Sequence, residues 1–346
     1  MPAQPPSADS PPDARTGQKV DLDAAVAVLR RDFGKALGAR VRALTHKIIC
    51  ELEDVNLHVH YPSFRDGECT LQDLVDVISL YLAPFALPRV EVEEVQQEYG
   101  KISADEYDAL HADLHTRAIE LFKKAQVATN RNGEAGELLL CLLTEWILDA
   151  PQLLAKMSLK TSTEMAVHGS DGVHVKFCTE TKRLILFWGE AKFYGRISEA
   201  MVSASDSIAK ALDPKKVRHE ISLVKRYLSF TGLDPEAAKA FKAHLNPFKD
   251  DSNQRVNVTT CLIGFDFTAY SPTPAVPRAE MEAAFLTELN MQLPGWASTV
   301  SALFKQHGIE NQRMELFFFP LPSVAEFRNM FQSKIGWKPA TEPQES

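Results

Sequence analysis

Residues 171–192 contain two runs of alternating apolar residues around a turn at residues 179–182, and this pattern predicts a β-hairpin. If the two ends of the turn face each other in an antiparallel pair, Val173 lies opposite Trp188 and Asp171 lies opposite Glu190. Directly opposed side chains in such a pair are about 5 Å apart. A slip of one residue would place Asp171 opposite Ala191 instead, and the apolar residues of the second strand do not exclude that slip.

The face of the hairpin that carries Glu190 also carries Lys192, because strand side chains alternate with a period of two. The opposite face carries His174, Lys176 and Cys178. We therefore expect a structural role for His174.

Two carboxylates at one end of an apolar face repel each other and lose hydration, so they need raised pKa values, a cationic partner or a metal ion. Carboxylate oxygens suit Mg²⁺ or Mn²⁺, which also bind substrate phosphates. We expect Asp171 and Glu190 to bind such an ion. An acid on the predicted helix 134–148 would complete the site, with Glu137 preferred, although the choice between Glu134 and Glu137 stays open.

Lys192 distinguishes hydrolysis from metal storage. A lysine beside an activated water can orient it, lower its pKa and stabilise the charge that develops on phosphorus. The predicted chemistry is phosphodiester hydrolysis.

The rest of the chain predicts an α/β (α+β) protein. Residues 1–19 are rich in Pro, Ser and Asp and are expected to be disordered. Residues 20–130 predict an N-terminal α+β region with helices near 21–37, 70–82 and 103–124 and a hairpin within 40–61. Residues 131–335 predict a second domain with helices near 134–148, 198–212 and 279–289 and strands near 256–267 and 314–319. Residues 336–346 are expected to form a tail.

Composition limits the functional classes. The chain has 346 residues and a net charge of -8, which argues against a protein that coats nucleic acid through its whole surface. Residues 151–230, however, contain 13 Lys and Arg against 8 Asp and Glu. Candidates for contacts with backbone phosphates are therefore Lys156, Lys160, Arg196, Lys210, Lys215, Lys216 and Arg218. We expect a cytoplasmic protein, because the five cysteines are scattered and no signal peptide pattern is visible. No apolar run is long enough to predict a membrane association.

The order of these motifs resembles the restriction-endonuclease-like PD-(D/E)XK core, in which an acidic helix residue, an Asp and E-x-K follow one another. A more specific resemblance is to the HamA family, the nuclease-like subunit of the Hachiman anti-phage defence system. It is carried by the segments GEAGELLLCLLTEWIL, KMSLKTS, HGSDGVH, GEAK and SEAMVSASDSIAK. Ser170 stands where the superfamily name has proline. The resemblance implies Glu137, Asp171, Glu190 and Lys192 as active-site groups, DNA as substrate, and a HamB-type helicase subunit as partner.

Other interpretations stay open from sequence alone. The chain could be a non-catalytic regulatory or interaction subunit that binds a helicase and nucleic acid, or it could cut RNA, because backbone hydrolysis needs no base reading. His58 and His60 could bind a metal, but without a third ligand nearby they are interpreted as strand residues. Cys141, Trp146 and Trp188 are interpreted as core.

Overall fold

The computed structural model describes residues 20–44, 50–129, 133–160, 170–228, 231–270 and 276–337. These ranges contain nine strands: β1 (Val41–Ala43), β2 (Val55–Pro62), β3 (Phe64–Arg65), β4 (Glu68–Cys69), β5 (Gln152–Leu154), β6 (Gly172–Cys178), β7 (Arg183–Tyr194), β8 (Arg255–Asp266) and β9 (Met314–Leu321). Residues 1–19 and 338–346, where tails are predicted, lie outside the described residues.

Thirteen α-helices occur in the same described ranges. They are α1 (Leu22–Val28), α2 (Gly34–Gly38), α3 (Leu71–Ser79), α4 (Leu82–Ala86), α5 (Arg89–Gln97), α6 (Ala104–Thr129), α7 (Glu134–Leu148), α8 (Lys156–Lys160), α9 (Ile197–Ala211), α10 (Pro214–Tyr227), α11 (Pro235–His244), α12 (Met281–Gln306) and α13 (Val324–Lys334). None of these helices is both long enough and apolar enough to cross a membrane.

A mixed seven-stranded sheet organises the molecule, in the order β1-β2-β9-β8-β7-β6-β5. The strands β2, β9, β8 and β7 run parallel to one another. At one end of the sheet β1 pairs antiparallel with β2, and at the other end β6 and β5 continue the sheet in antiparallel pairs. The predicted α/β class is confirmed. Because β2 pairs with β9, one sheet contains strands from both sides of residue 131. The division of the chain into domains at that residue stays a prediction.

Each face of the sheet has its own helical layer, because side chains of β8 and β9 alternate between the faces. On one face, Leu262, Phe317 and Phe319 pack with α7 in a buried cluster. On the other face, Cys261, Ile263 and Phe318 pack with α9 and α12. Burial on both faces explains the apolar runs at residues 261–265 of β8 and 316–321 of β9.

Local signals locate most elements correctly. Asp21 caps α1 by accepting from the Asp23 and Ala24 amides, and Ser103 and Glu106 form the predicted capping box of α6. The predicted hairpin within residues 40–61 is the antiparallel pair of β1 and β2. The predicted helix at 279–289 is too short, because α12 runs from Met281 to Gln306 and contains Pro294.

Candidate functional site

The hairpin of β6 and β7 has the register that brings the two acids together. Gly172 pairs with Gly189 and Val173 pairs with Trp188, and the paired register ends there. Asp171 is the next residue outward and lies near enough to Glu190 for its charge to add to the effect of burial on the pKa of Glu190. The Asp171 amide donates to the Gly189 carbonyl at 2.7 Å, and Asp171 Oδ2 accepts from the Ala191 amide at 2.8 Å. The predicted register is confirmed, and the one-residue slip is excluded.

Glu190 and Lys192 form an ion pair on the same face of β7. Lys192 Nζ lies 2.5 Å from Glu190 Oε1, and the side chains are only 21% and 14% exposed, respectively. Burial raises the pKa of Glu190, and the charge of Asp171 raises it further, while Lys192 and Ser207 of α9 act in the opposite direction. Burial alone would lower the pKa of Lys192, but the charges of Glu190 and Asp171 raise it above its ordinary value.

These three side chains line one cleft of about 460 Å³. Ser207 and Lys210 contribute to the cleft from α9, and Lys216 and Glu220 contribute from α10. The remaining wall includes Trp188, Asn257, Thr259, Gln312 and Arg313. The cleft therefore combines paired carboxylates with several cationic and polar groups.

Glu137 comes from a helix rather than from the hairpin. It lies in the first turn of α7, which packs on the other face of the sheet: a Cβ at Gly136 would meet the Phe193 ring at 2.6 Å. Among the described residues, the lining of the cleft does not include Glu137. Glu134 is buried in the same turn, where its charge raises the pKa of Arg328 against the lowering effect of burial. The structure thus brings together three of the four predicted catalytic residues, and a role for Glu137 at the metal stays a prediction.

Lys156 requires a correction as a candidate for phosphate contact. It is 1% exposed, and its ammonium group lies 2.6 Å from Glu220 Oε2, 2.7 Å from the Ser170 carbonyl and 3.1 Å from the Ser170 hydroxyl. A side chain so enclosed is not available to a nucleic-acid backbone. The contacts instead tie α8 and α10 to the residue that precedes Asp171.

The other predicted phosphate contacts differ in position. Lys210 and Lys216 line the cleft, and Lys215 and Arg218 are exposed on α10. Arg196 is exposed and pairs with Glu199. The side chain of Lys160 lies outside the described residues.

Trp188 is the second correction, since it is not enclosed in the core. The indole is only partly buried, lines the cleft and donates from Nε1 to Asn257 Oδ1 at 3.2 Å. The sequence does not predict that Glu220 lies in the cleft, because its neighbours there are far away along the chain. The position of Trp188 on the same strand face as Glu190 was the one available signal.

A second cluster of possible metal ligands lies on the opposite face of the hairpin. Cys141, Glu145 and His174 are buried with their ligand atoms within 4.8 Å of one another, and this is the one such group among the described residues. Arg31 lies 3.9 Å from Glu145, and burial lowers the pKa of His174 to about 4 while Ala150 fixes its ring. These contacts fit the structural role expected for His174. His58 and His60 lie on β2 as interpreted, with His58 bound to Glu315 at 2.7 Å.

The donor set of the cleft fits a hard divalent cation. Asp171 and Glu190 supply carboxylate oxygens. Burial and then the charge of Asp171 raise the pKa of Glu190, and a bound cation would offset both effects. The buried Cys, Glu and His group offers softer donors, and the positive charge of Arg31 beside it opposes a cation. The cleft is therefore the better candidate for Mg²⁺ or Mn²⁺.

The fold and the cleft define a class: a mixed α/β protein in which the β6–β7 hairpin presents an Asp and an E-x-K pair to a cleft that cationic side chains also line. The HamA family model matches residues 41–335 of the 346-residue chain, so the chain belongs to the HamA family. It is a Hachiman defence-system protein. The match extends from β1 to the end of α13 and so includes the N-terminal strands as well as the hairpin. A search of curated protein sequences finds no match.

Proposed function

We propose that this protein is a metal-dependent DNA nuclease of the restriction-endonuclease-like class, the effector of an anti-phage defence system under the control of a partner helicase. The observation that carries the proposal is the cleft in which Asp171 and Glu190 adjoin and Lys192 pairs with Glu190 at 2.5 Å. Membership of the HamA family supports a defensive role and a partner from the same system.

In this proposal Asp171 and Glu190 hold Mg²⁺ or Mn²⁺, and Glu137 is a proposed third ligand. The bound ion would activate water and offset charge on the scissile phosphate. Asp171 is well suited to its role because the Ala191 amide fixes one of its oxygens, which leaves the orientation of the carboxylate defined. Glu190 must be ionised to bind a cation, and the adjacent ammonium of Lys192 favours that state.

Lys192 would exchange part of its contact with Glu190 for contacts with the attacking water and a phosphate oxygen. Its raised pKa keeps it protonated at neutral pH, so it would act as a hydrogen-bond donor and a positive charge rather than as a base. Lys210 and Lys216 at the rim would position the backbone without reading sequence.

The decisive experiment is a cleavage assay with plasmid DNA, linear DNA and RNA. Wild type, Asp171→Ala and Lys192→Met are compared in Mg²⁺ and in chelator, with and without the helicase partner. We expect cleavage of DNA by wild type in Mg²⁺ and loss by at least a hundredfold in both variants, as for other catalytic groups of this kind. Glu180→Ala is the matched control, because Glu180 is exposed at the far end of the same hairpin.

The comparison also tests the alternatives. If wild type and both variants behave alike in every combination, the nuclease proposal is wrong and a non-catalytic subunit that binds the helicase and nucleic acid is favoured. Cleavage of RNA alone would correct the substrate. Cleavage that appears only with the helicase would support the proposed control by the partner.

A further inference from the structure

Trp188 is a large aromatic side chain that shares a strand face with the catalytic groups. It lies two residues before Glu190 on β7, a separation of about 7 Å along a strand, so both side chains point to the same side of the sheet. Both residues line the cleft. A ligand that fills the cleft can therefore contact both the indole and Glu190.

The indole is held in place by the protein. One part of the ring packs against the buried cluster that contains Val173 and Leu186, and Nε1 donates to Asn257 Oδ1 at 3.2 Å. Because its only polar atom already has a partner, the surface that Trp188 offers to a ligand is apolar and aromatic. Such a surface suits stacking and reads no hydrogen-bond pattern.

Cationic side chains line the same cleft as Trp188. Lys210 and Lys216 come from α9 and α10, and Arg313 comes from the segment that precedes β9. Proteins that bind single strands combine an aromatic ring with cationic groups in one groove, so that bases stack on the ring and phosphates lie along the charges. The bases of an intact duplex cover one another's faces, so only an unpaired or extruded base can stack on a protein ring.

We propose that Trp188 is a stacking platform for an unpaired base, and that the cleft therefore takes a single-stranded nucleic-acid segment. The inference rests on the proposed nuclease function, since it names the form of the substrate at that site. Binding would be tolerant of sequence, because every base has a face that can stack.

The test measures binding with the full chain carrying Asp171→Asn, which removes a catalytic group so that the probes survive. The probes are a 12-nucleotide oligo-dT, an abasic strand of the same length and charge, and a hairpin duplex. We expect Trp188→Ala to weaken binding of oligo-dT by about 5- to 150-fold, which is the fold-change that one stacked base represents. The abasic strand should bind equally well before and after the substitution.

Two further variants control for structure. Trp188→Phe keeps an aromatic ring and should retain most of the affinity for oligo-dT, and Tyr99→Ala removes an aromatic ring that is 77% exposed elsewhere and should change nothing. The fluorescence of Trp188 itself is the difference between the parent chain and Trp188→Phe. Quenching of this difference signal by a probe reports contact with Trp188, even if Trp188→Ala does not fold. Quenching by oligo-dT and not by the abasic strand supports the platform.

The inference is overturned if Trp188→Ala weakens the abasic strand as much as oligo-dT, or if the fluorescence of Trp188 responds equally to both. It is also overturned if the duplex binds at least as tightly as oligo-dT and depends equally on Trp188. These results leave the nuclease proposal standing if wild type cuts DNA. Conversely, base-dependent binding without cleavage by wild type in any condition would retain the platform and refute the nuclease.

Discussion

Replacing Lys156 by methionine is expected to destabilise the fold by about 3–5 kcal/mol, because it breaks a buried ion pair and leaves one charge without its partner. The side chains of Lys156 and Glu220 are 0% and 8% exposed, and their charged groups lie 2.6 Å apart. Methionine keeps the length of the side chain but removes the ammonium group. The stranded carboxylate of Glu220 then carries most of the cost.

The same ammonium group bonds both the carbonyl and the hydroxyl of Ser170. Its three described acceptors match the three N–H donors of a lysine. Loss of the Ser170 contacts would leave a buried carbonyl without this donor, a cost of about 1–3 kcal/mol that is included in the total rather than added to it. It would also loosen the residue that directly precedes Asp171, so cleavage should fall even at temperatures where Lys156→Met remains folded.

The measurement is urea unfolding of wild type, Lys156→Met, Glu220→Gln and the double variant. A buried pair predicts that the double variant loses less stability than the two single losses together, with a coupling of about 0.5–3 kcal/mol. An exposed pair, such as Lys239 with Glu236, provides the control, since its loss should cost under about 1 kcal/mol. A loss below about 1 kcal/mol for Lys156→Met would refute the reasoning, because no buried charge would then have been stranded.

Two other predictions follow from the site and its support. A proton on Glu190 competes with Mg²⁺, so the affinity for Mg²⁺ should fall as the pH is lowered. Because burial and the charge of Asp171 raise the pKa of Glu190, this fall should begin at a higher pH than it would for an ordinary glutamate. The stability of the metal-free protein, measured in chelator, should change with pH in the opposite direction. The folded state holds this proton more tightly than the unfolded chain, so the free energy of unfolding should decrease as the pH rises through the same range. Calorimetric titration with Mg²⁺ tests the affinity, and denaturation at several pH values tests the stability. Gly136→Ala should cost about 1–3 kcal/mol in urea unfolding, since the added Cβ would lie 2.6 Å from the Phe193 ring; an unchanged midpoint would mean that α7 moves away without cost.

The sequence alone predicts those parts of the site that depend on local alternation. The turn and the apolar alternation predict the register of β6 and β7 that places Asp171 near Glu190, although the one-residue slip is excluded only by the structure. The Glu190–Lys192 pair follows from the period of a strand in the same way. No residue outside the hairpin is needed for either inference.

The parts that were missed depend on partners far away along the chain. Lysine is almost never fully buried unless it is paired, and nothing in the local sequence shows that Glu220 will lie beside Lys156. The pairing of β2 with β9 could not be predicted for the same reason, because the two strands are far apart along the chain and neither sequence indicates its partner. Trp188 was misplaced because apolar character suggests burial, whereas an aromatic residue at the edge of a core can also line a cleft.

Gly189 has a packing role that is separate from the chemistry of the acids. Gly189 lies opposite Gly172 on the hairpin, directly before Glu190. A Cβ at Gly189 would meet Leu140 of α7 at 3.2 Å and the Gly172 amide nitrogen at 3.3 Å, so a side chain at this position would crowd α7 against the sheet. Close contact with α7 on one face therefore supports the acids that project from the other face. The motifs SDG and GEAK thus combine two requirements: acids and a lysine for the cleft, and a glycine at position 189 that leaves room for the helix behind it.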